Sequence, residues 1–391
     1  MKISKIEVIP LTMPHYKPVK TSRGVWGTEF AYVRITTDNG IVGIGDAGHP
    51  KPTHYAETVE GMTGLIHNHI APQLLGEDPM NIEKIIQKMD DIVCWNWIAK
   101  TGIDNALYDI VGKALNVPAY NLLGGLVYEK IPLGWLVVID DRDKMAKEAK
   151  EAVDAGFHNV KIKVGLGKPT EDIENVRAIR EAVGPKVPIQ VDANQAWTPA
   201  DAISTIKKLE KFDLLGVESP VPDWDIIGLA KVHHSVDVPI IADEAARSIE
   251  GAINVIRHDA ADMFVLHISK AGGLFKCKQY LSIAEAAGMP VILGLMAGAG
   301  LENCANAHLG ASTEWCGKAN HHCFGPLQMF GGYDTKHIEE GNKDVIWGQP
   351  AKIEGGFLYV PKKPGLGAEL NENQVKKFLT KGKEILVCEA K

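Results

Sequence analysis

The amino-terminal part of the chain carries two different hydrophobic patterns. Residues 30–37 and 41–47 alternate apolar and polar side chains, and Asp38-Asn39-Gly40 between them supplies a turn. Further along, residues 101–117 repeat apolar side chains at helical spacing, which predicts a helix with one apolar face. Residues 1–128 are therefore expected to form a small antiparallel sheet followed by helices.

The pattern changes at residue 129, where short apolar runs begin to alternate with amphipathic segments. This alternation is typical of parallel strands that are joined by helices. Seven such units are recognisable, and residues 321–329 offer an eighth strand. A closed (β/α)8 barrel over residues 129–350 fits this span. An open, doubly wound sheet is the alternative, and it is disfavoured because no glycine fingerprint follows the first strand.

Residues 351–391 return to short strands and turns. We expect this segment to pack back on the amino-terminal domain, which would make that domain discontinuous in sequence. The predicted fold class is α/β: a (β/α)8-type barrel at 129–350, with an α+β capping domain formed by residues 1–128 and the tail 351–391.

Composition narrows the class of protein further. With 45% hydrophobic and 23% charged residues, the 391-residue chain is an ordinary globular protein. Its net charge of −7 argues against a nucleic-acid surface. It has neither a membrane-length apolar run nor a signal-like start, so a cytoplasmic location is expected. Six cysteines without a CxxC pair indicate neither a zinc knuckle nor a disulfide framework.

Polar side chains recur where the apolar strand runs end, between 24 and 29 residues apart from unit to unit. A βα unit of a barrel has this length, so these side chains are expected at the carboxyl-terminal mouth, where barrel enzymes place their chemistry. In chain order they are Lys161 and Lys163, Asp192 and Asn194, Glu218, Asp243 and Glu244, and His267.

Three of these carboxylates, on Asp192, Glu218 and Asp243, come from adjacent strands. Like charges a few ångströms apart destabilise one another unless a cation compensates them. Oxygen ligands in a rigid mouth suit Mg²⁺. The spacing therefore predicts a magnesium site, with helix capping or arginine pairing as the structural alternative.

Lys161 and Lys163 lie two residues apart, so their side chains point to the same face of one strand. A helix layer would not accommodate two buried ammonium groups, whereas a mouth that holds a metal site would. There, one lysine can neutralise a substrate carboxylate, and the other can act as a base near neutral pH. Together these groups predict abstraction of the proton α to a carboxylate through an enediolate.

Over essentially its whole length the sequence resembles the enolase superfamily, in its mandelate racemase and muconate lactonizing branch. The resemblance rests on Lys161-Ile162-Lys163, Val191-Asp192-Ala193-Asn194, Glu218-Ser219-Pro220, Ala242-Asp243-Glu244 and Lys270-Ala271-Gly272-Gly273, in this order and spacing. It implies Mg²⁺ bound by Asp192, Glu218 and Asp243, with Mn²⁺ able to substitute. It also implies Lys163 as the acid/base, Lys161 as the partner of the substrate carboxylate, and cap loops at 22–28 and 46–54 that close over the substrate.

The sequence departs from the resembled family on the sixth strand. Lactonizing and epimerising members carry a second lysine there, and mandelate-racemase-like members an aspartate that is paired with a later histidine. Here the position is His267, which is our candidate for the second acid/base. Asn194, Glu244, Lys270 and His49 are candidates for substrate binding or for supporting the site, and His321 and His322 are held in reserve.

The broken two-lysine pattern leaves three functions open. We favour dehydration of a hydroxylated carboxylic acid such as an acid sugar, because elimination needs one base and one acid. The alternative is a cycloisomerase, racemase or epimerase, with His267 as the second base. A carboxylate-binding relative without turnover comes third. The expected partners are a small carboxylate substrate and further copies of the chain in a homo-oligomer.

Overall fold

A computed structural model describes residues 1–13, 18–25, 27–50, 52–296, 299–317, 321–322, 346–348 and 351–390. Over these residues no helix is both long enough and apolar enough to cross a membrane.

The amino-terminal region contains a sheet, a short hairpin and a group of helices. Its strands are β1 Ile3–Thr12, β2 Lys20–Thr21, β3 Gly24–Val25, β4 Glu29–Thr37 and β5 Val42–Asp46. Its helices are α1 Pro52–Tyr55, α2 Val59–Leu65, α3 Ala71–Leu74, α4 Ile82–Ile92, α5 Trp97–Leu115 and α6 Ala119–Leu122, with a π-helical turn Ile66–Ile70 between α2 and α3. The predicted hairpin is present, because β4 pairs antiparallel with β5 and Gly40 takes a φ of 85° in the turn.

Strands and helices then alternate. The strands are β6 Lys130–Val137, β7 Asn159–Lys163, β8 Ile189–Asp192, β9 Gly216–Glu218, β10 Ile240–Ala242, β11 Met263–Leu266, β12 Val291–Leu293 and β13 His321–His322. The helices are α7 Arg142–Asp154, α8 Pro169–Val183, α9 Pro199–Leu209, α10 Ile226–His233, α11 Ile249–Arg257, α12 Ile268–Ala271, α13 Leu274–Ala286, α14 Gly300–Ala311 and α15 Glu314–Gly317, with 3-10 turns Glu210–Phe212 and Glu244–Ala246.

Strands β6 to β12 pair in parallel, each with the next along the chain. The ring closes through β13, which pairs with β6 and lies beside β12. Ile241, Val265 and Ile292 fill part of the interior, and a larger apolar core separates the sheet from the surrounding helices. The predicted (β/α)8 barrel is therefore confirmed.

The long helix α5 joins the capping region to the barrel. The periodicity predicts one apolar face, but the helix is buried on all sides from Ile98 to Gly112. Its polar side packs against the barrel, where Asp104 accepts hydrogen bonds from the main-chain nitrogens of Leu274 and Phe275. The periodicity thus predicted the apolar face of α5 but not the polar side that packs against the barrel.

The carboxyl-terminal segment divides between the two parts of the molecule. Within residues 351–391 its elements are β15 Lys352–Glu354, β16 Phe357–Tyr359, β17 Ala368–Leu370, α16 Glu372–Phe378 and β18 Leu386–Glu389, and β17 pairs with β14 Ile346–Gly348, which precedes the segment. Strand β18 pairs with β1, so the cap sheet has the order β18-β1-β4-β5. Strand β16 instead pairs antiparallel with the barrel strand β6. Only the end of the segment joins the cap sheet, whereas its beginning extends the barrel.

Candidate active site

The predicted carboxylates lie at one level of the barrel mouth because the parallel strands are in register. Lys163 pairs with Asp192 across β7 and β8, and Asp192 pairs with Glu218 across β8 and β9. Asp243 follows the last residue of β10 directly. All three carboxylates are buried. The chain thus concentrates negative charge at the carboxyl-terminal end of the sheet.

The two lysines of β7 point into the barrel and contact these carboxylates. Lys161 Nζ lies 2.9 Å from Asp192 Oδ2 and 2.7 Å from Glu218 Oε1. Lys163 Nζ lies 2.5 Å from Asp192 Oδ2 and 2.7 Å from Asn194 Oδ1. Both side chains are only 4% exposed, so the ion pairs are shielded from water. The expectation that both lysines face the mouth is met.

Because these charged groups lie so close together, the pKa values of neighbouring carboxylates are shifted in opposite directions. Burial alone would raise the pKa of Asp192, but the charges of Lys161 and Lys163 outweigh it and hold that pKa well below its ordinary value. Burial, and then the charge of Asp192, raise the pKa of Glu218 well above its ordinary value. The protein on its own therefore does not stabilise all of these carboxylates as anions.

Asp243 has a separate set of cationic neighbours. Lys270 donates hydrogen bonds to the Asp243 carboxylate, to the Asp243 carbonyl oxygen at 3.0 Å and to the Val265 carbonyl oxygen at 2.6 Å. His267 Nε2 lies 3.6 Å from Asp243 Oδ1. Burial opposes ionisation of Asp243, but the charges of Lys270 and His267 outweigh it and lower its pKa well below the usual range. Lys270 is therefore placed behind Asp243, as a supporting group.

Lys163 and His267 stand on opposite sides of the mouth. In the described ring from β6 to β13, β7 and β11 are four places apart, which is half the circumference of an eight-stranded barrel. Lys163 ends β7, and His267 follows β11. A substrate held over the carboxylates would thus have the ammonium group on one face and the imidazole on the other.

The imidazole of His267 packs on the backbone of Gly294. A Cβ atom at position 294 would lie 2.6 Å from Cδ2 and 2.7 Å from Cε1 of the ring, and closer still to Nε2. These distances are shorter than any contact that a real side chain makes. Gly294 follows β12, and its nitrogen donates to the Leu266 carbonyl oxygen at 2.8 Å. The imidazole can therefore occupy this space because residue 294 is a glycine and has no side chain.

The supporting candidates Asn194 and Glu244 form a buried network with Ser219. Glu244 accepts hydrogen bonds from Ser219 Oγ at 2.5 Å and from Asn194 Nδ2 at 3.3 Å. Asn194 and Ser219 have positive φ angles of 43° and 42°, a backbone region that is costly for residues other than glycine. The strained turns keep these polar groups beside the acids.

Two further residues belong to this region although the sequence analysis did not single them out. Gln190 lies two residues before Asp192 on the inward face of β8 and donates a hydrogen bond to Glu218. Its position could have been predicted, because it has the same alternation as Asp192. Tyr55, at the end of α1, has its pKa raised by burial and then by the charges of Asp243, Glu244 and Glu218, so it faces the mouth from the cap. No pattern in the sequence marks Tyr55.

Residues 22 and 23 of the first cap loop contact the turn after β8. Ser22 Oγ donates to the carbonyl oxygen of Ala193 at 2.9 Å, and Arg23 Nη2 donates to Gln195 Oε1 at 2.9 Å. His49 lies in a cap cavity of about 490 Å³ between the two loops, with Nδ1 2.5 Å from the carbonyl oxygen of Glu29. The side chains of His321 and His322 lie outside the described residues.

The donor set fits a hard divalent cation. Among the described side chains of the mouth, the buried carboxylates of Asp192, Glu218, Asp243 and Glu244 outnumber the buried cations by one when Lys161, Lys270 and only one of Lys163 and His267 are protonated. A dication would turn this deficit into one excess positive charge, which one substrate carboxylate would cancel. A bound dication would favour the ionised form of Glu218 and so offset the raised pKa of its carboxyl group. The site is thus electrically balanced for Mg²⁺ together with one monoanionic ligand.

Comparisons with known proteins agree with this geometry. Residues 144–374 match the enolase C-terminal domain-like family, and residues 5–124 match the mandelate racemase / muconate lactonizing enzyme N-terminal domain. The N-succinyl-L-Arg/Lys racemase of Bacillus cereus is 31% identical over 380 residues, which cover 97% of this chain and 98% of that protein.

Two solved structures show the same fold at full length. A mandelate racemase/muconate lactonizing family protein from Azoarcus sp. EbN1 is 39% identical with a TM-score of 0.93, covering 99% of this chain and 100% of that one. A dipeptide epimerase from Enterococcus faecalis, complexed with Mg and the dipeptide L-Leu-L-Tyr, is 31% identical with a TM-score of 0.86, covering 94% and 100%. The chain belongs to the enolase superfamily, in its mandelate racemase and muconate lactonizing enzyme family.

Proposed function

We propose that this protein is a Mg²⁺-dependent racemase or epimerase that inverts the carbon atom next to a substrate carboxylate. The observation that carries the proposal is the placement of Lys163 and His267 on opposite sides of the acid cluster. Inversion needs one group to remove a proton from one face and another to return a proton to the opposite face.

Dehydration of an acid sugar, which the sequence analysis favoured, gains no support from the relatives. The racemase and the epimerase reported above catalyse inversion, and they cover nearly the whole chain. The alternative of the sequence analysis therefore replaces dehydration as the leading hypothesis. His267 then takes the place that the second lysine holds in the resembled pattern.

Each group in the mouth has a defined part in this reaction. Asp192, Glu218 and Asp243 would hold Mg²⁺, which when bound stabilises the negative charge that develops on the substrate carboxylate. Burial alone would lower the pKa of Lys161, but Asp192 and Glu218 outweigh it and raise that pKa well above its ordinary value. Lys161 therefore stays cationic and can neutralise the substrate carboxylate.

Lys163 and His267 then exchange protons with the substrate. For one enantiomer, Lys163 Nζ takes the α-proton and the imidazolium of His267 donates a proton to the other face. For the other enantiomer the roles are reversed. Both side chains are buried, so solvent hydrogen reaches the carbon by way of these two groups and not by direct contact with bulk water.

We propose N-acylated α-amino acids, including dipeptides, as the substrate class. The names of the two relatives describe such compounds, an N-succinyl amino acid and a dipeptide. In each, the carboxylate next to the carbon to be inverted is the group that would meet the single positive charge of the Mg²⁺-loaded mouth, whereas other charges, such as the terminal carboxylate of a succinyl group, belong to the rest of the molecule. The cap cavity beside Arg23 and His49 is a candidate place for the rest of the molecule.

The test is α-hydrogen exchange in D₂O with Mg²⁺, followed separately for the two enantiomers of each N-acyl amino acid. We expect Lys163→Ala to slow α-hydrogen exchange of one enantiomer and His267→Asn to slow exchange of the other. Each rate should fall by a factor of about 100 to 10,000. Either substitution should stop racemisation, and chelation of the metal should stop all exchange.

The exposed His258 gives a matched control, and His258→Asn should behave like the unchanged protein. Unchanged racemisation in His267→Asn would refute the two-base proposal. A 2-keto product would restore dehydration, and a lactone product would identify a cycloisomerase.

A further inference from the structure

A second cluster of metal-ligating side chains lies on the opposite end of the barrel. His233 ends α10 and His234 follows it, while Asp259 lies in the turn between α11 and β11. Each of these residues offers a ligand atom, and the atoms lie within 4.8 Å of one another. The cluster is independent of the proposed active site, because Asp262 beside it and His267 at the mouth are separated by the length of β11, about 16 Å at 3.3 Å per residue.

The imidazole of His233 is held by the fold. Its Nδ1 donates to the carbonyl oxygen of Asp259 at 2.7 Å, so Nε2, which faces Asp262, is the ring nitrogen at which a metal would replace a proton. A histidine that binds a metal through one ring nitrogen usually donates the other N–H to a carbonyl or carboxylate in this way. Asp259 itself has a φ of 49° in a tight turn, which fixes its carbonyl oxygen.

Two of the distances between these side chains are near the ligand–ligand spacing of a tetrahedral metal site. His234 Nε2 lies 2.9 Å from Asp259 Oδ2, and His233 Nε2 lies 3.1 Å from Asp262 Oδ1. Ligands about 2.0–2.1 Å from a tetrahedral ion are roughly 3.3 Å apart. Asp262 is oriented by the main-chain nitrogen of Ile240, which donates to its other oxygen at 2.7 Å.

We propose that His233, His234 and Asp259 bind a transition-metal dication such as Zn²⁺, with water at the fourth position and Asp262 beside His233. Imidazole nitrogens combined with carboxylates favour Zn²⁺ over Mg²⁺, whereas the all-oxygen triad at the mouth favours Mg²⁺. The two sites therefore select different ions. The ion at this second site would tie the turn after α10 to the turn after α11, which are successive units of the barrel.

The test is calorimetric titration of the full chain with ZnCl₂ in the presence of saturating Mg²⁺. We expect binding of one Zn²⁺ per chain, accompanied by a rise in Tm. His234→Asn should weaken this binding at least tenfold, and Asp259→Asn should do the same. His234 is 56% exposed, so its substitution leaves the core intact. α-Hydrogen exchange should be unchanged in His234→Asn.

Two controls separate the cluster from the mouth. His258→Asn removes a neighbouring exposed imidazole and should leave Zn²⁺ binding intact. Glu218→Gln removes a proposed Mg²⁺ ligand and should also leave it intact, whereas exchange activity is lost. Equal Zn²⁺ affinity in His234→Asn and the unchanged protein, or no Zn²⁺ binding in either, would overturn the proposal.

Discussion

At the scale of single residues, the candidate site depends on the absence of a Cβ atom at Gly294. His267 can lie beside Asp243 because position 294 has no side chain, and a β-carbon there would overlap three atoms of the ring. The proposed second base is thus positioned by the residue that directly follows the neighbouring strand β12. Gly294 acts through His267 and need not contact the substrate.

This dependence makes Gly294→Ala an informative variant. The added methyl group should displace the imidazole by about an ångström, which typically costs a factor of about 100 in rate. We expect racemisation to fall by about this factor, while exchange of the enantiomer that faces Lys163 survives. The measurement is enantiomer-resolved exchange in D₂O.

The double variant Gly294→Ala with His267→Asn should lose no more racemisation than the more damaging of the two single variants, because both substitutions act on the same group. Gly64→Ala is the matched control, since nothing approaches a Cβ at position 64 within 3.9 Å. Full racemisation in Gly294→Ala would contradict the positioning role.

Functional residues at strand ends could be predicted from the sequence. Residues that come from another part of the chain, or that contribute by having no side chain, could not. Lys163, Asp192 and Glu218 repeat with the length of a βα unit, so their convergence follows from barrel geometry. Tyr55 reaches the mouth from another part of the chain, and Gly294 contributes only empty space. Neither property leaves a periodic trace in a sequence.

At the scale of elements, helix α5 connects the cap to the barrel through buried polar groups. Asp104 accepts hydrogen bonds at the first turn of α13, and Thr101 donates to the carbonyl oxygens of Ile268 and Ser269, directly after His267. The sequence predicted the apolar face of α5 correctly. It did not predict the polar contacts, because buried acids and exposed acids look alike in a helical pattern.

Burial raises the pKa of Asp104 to about 7, which gives α5 a testable pH dependence. An unfolded aspartate titrates near 3.9, so between about pH 4 and pH 7 the folded state binds more protons than the unfolded state. Stability should therefore fall as pH rises through this window, by about 1.4 kcal/mol per unit of pKa difference. In Asp104→Asn this contribution disappears.

Calorimetric Tm values from pH 5 to pH 8 provide the measurement. We expect a shallower decline in Asp104→Asn than in the unchanged protein, at equal Mg²⁺ concentration. Asp143→Asn, on the exposed first turn of α7, is the control and should keep the original slope. Identical slopes in all three proteins would show that Asp104 does not titrate in the folded state.

At the scale of the whole molecule, assembly remains a prediction. We expect a homo-oligomer with an even number of subunits, because symmetric association is common among soluble enzymes. Trp224, in the loop after β9, and Ile227, in the first turn of α10, are 79% and 68% exposed, and they are candidates for the contact. Light scattering should show the oligomer, and Trp224→Ser should shift it toward smaller species. A monomer at micromolar concentration would refute this expectation.

The strand order of the cap sheet also has a consequence for folding during translation. Strand β1 lies between β4 and β18, so one of its edges has no strand partner until Leu386–Glu389 have left the ribosome. Every barrel strand from β6 to β13 is translated before that point. A nascent chain can therefore assemble its barrel while its first strand still presents an open edge, which is prone to aggregation. Translation that stops short of these four residues would leave that edge uncovered.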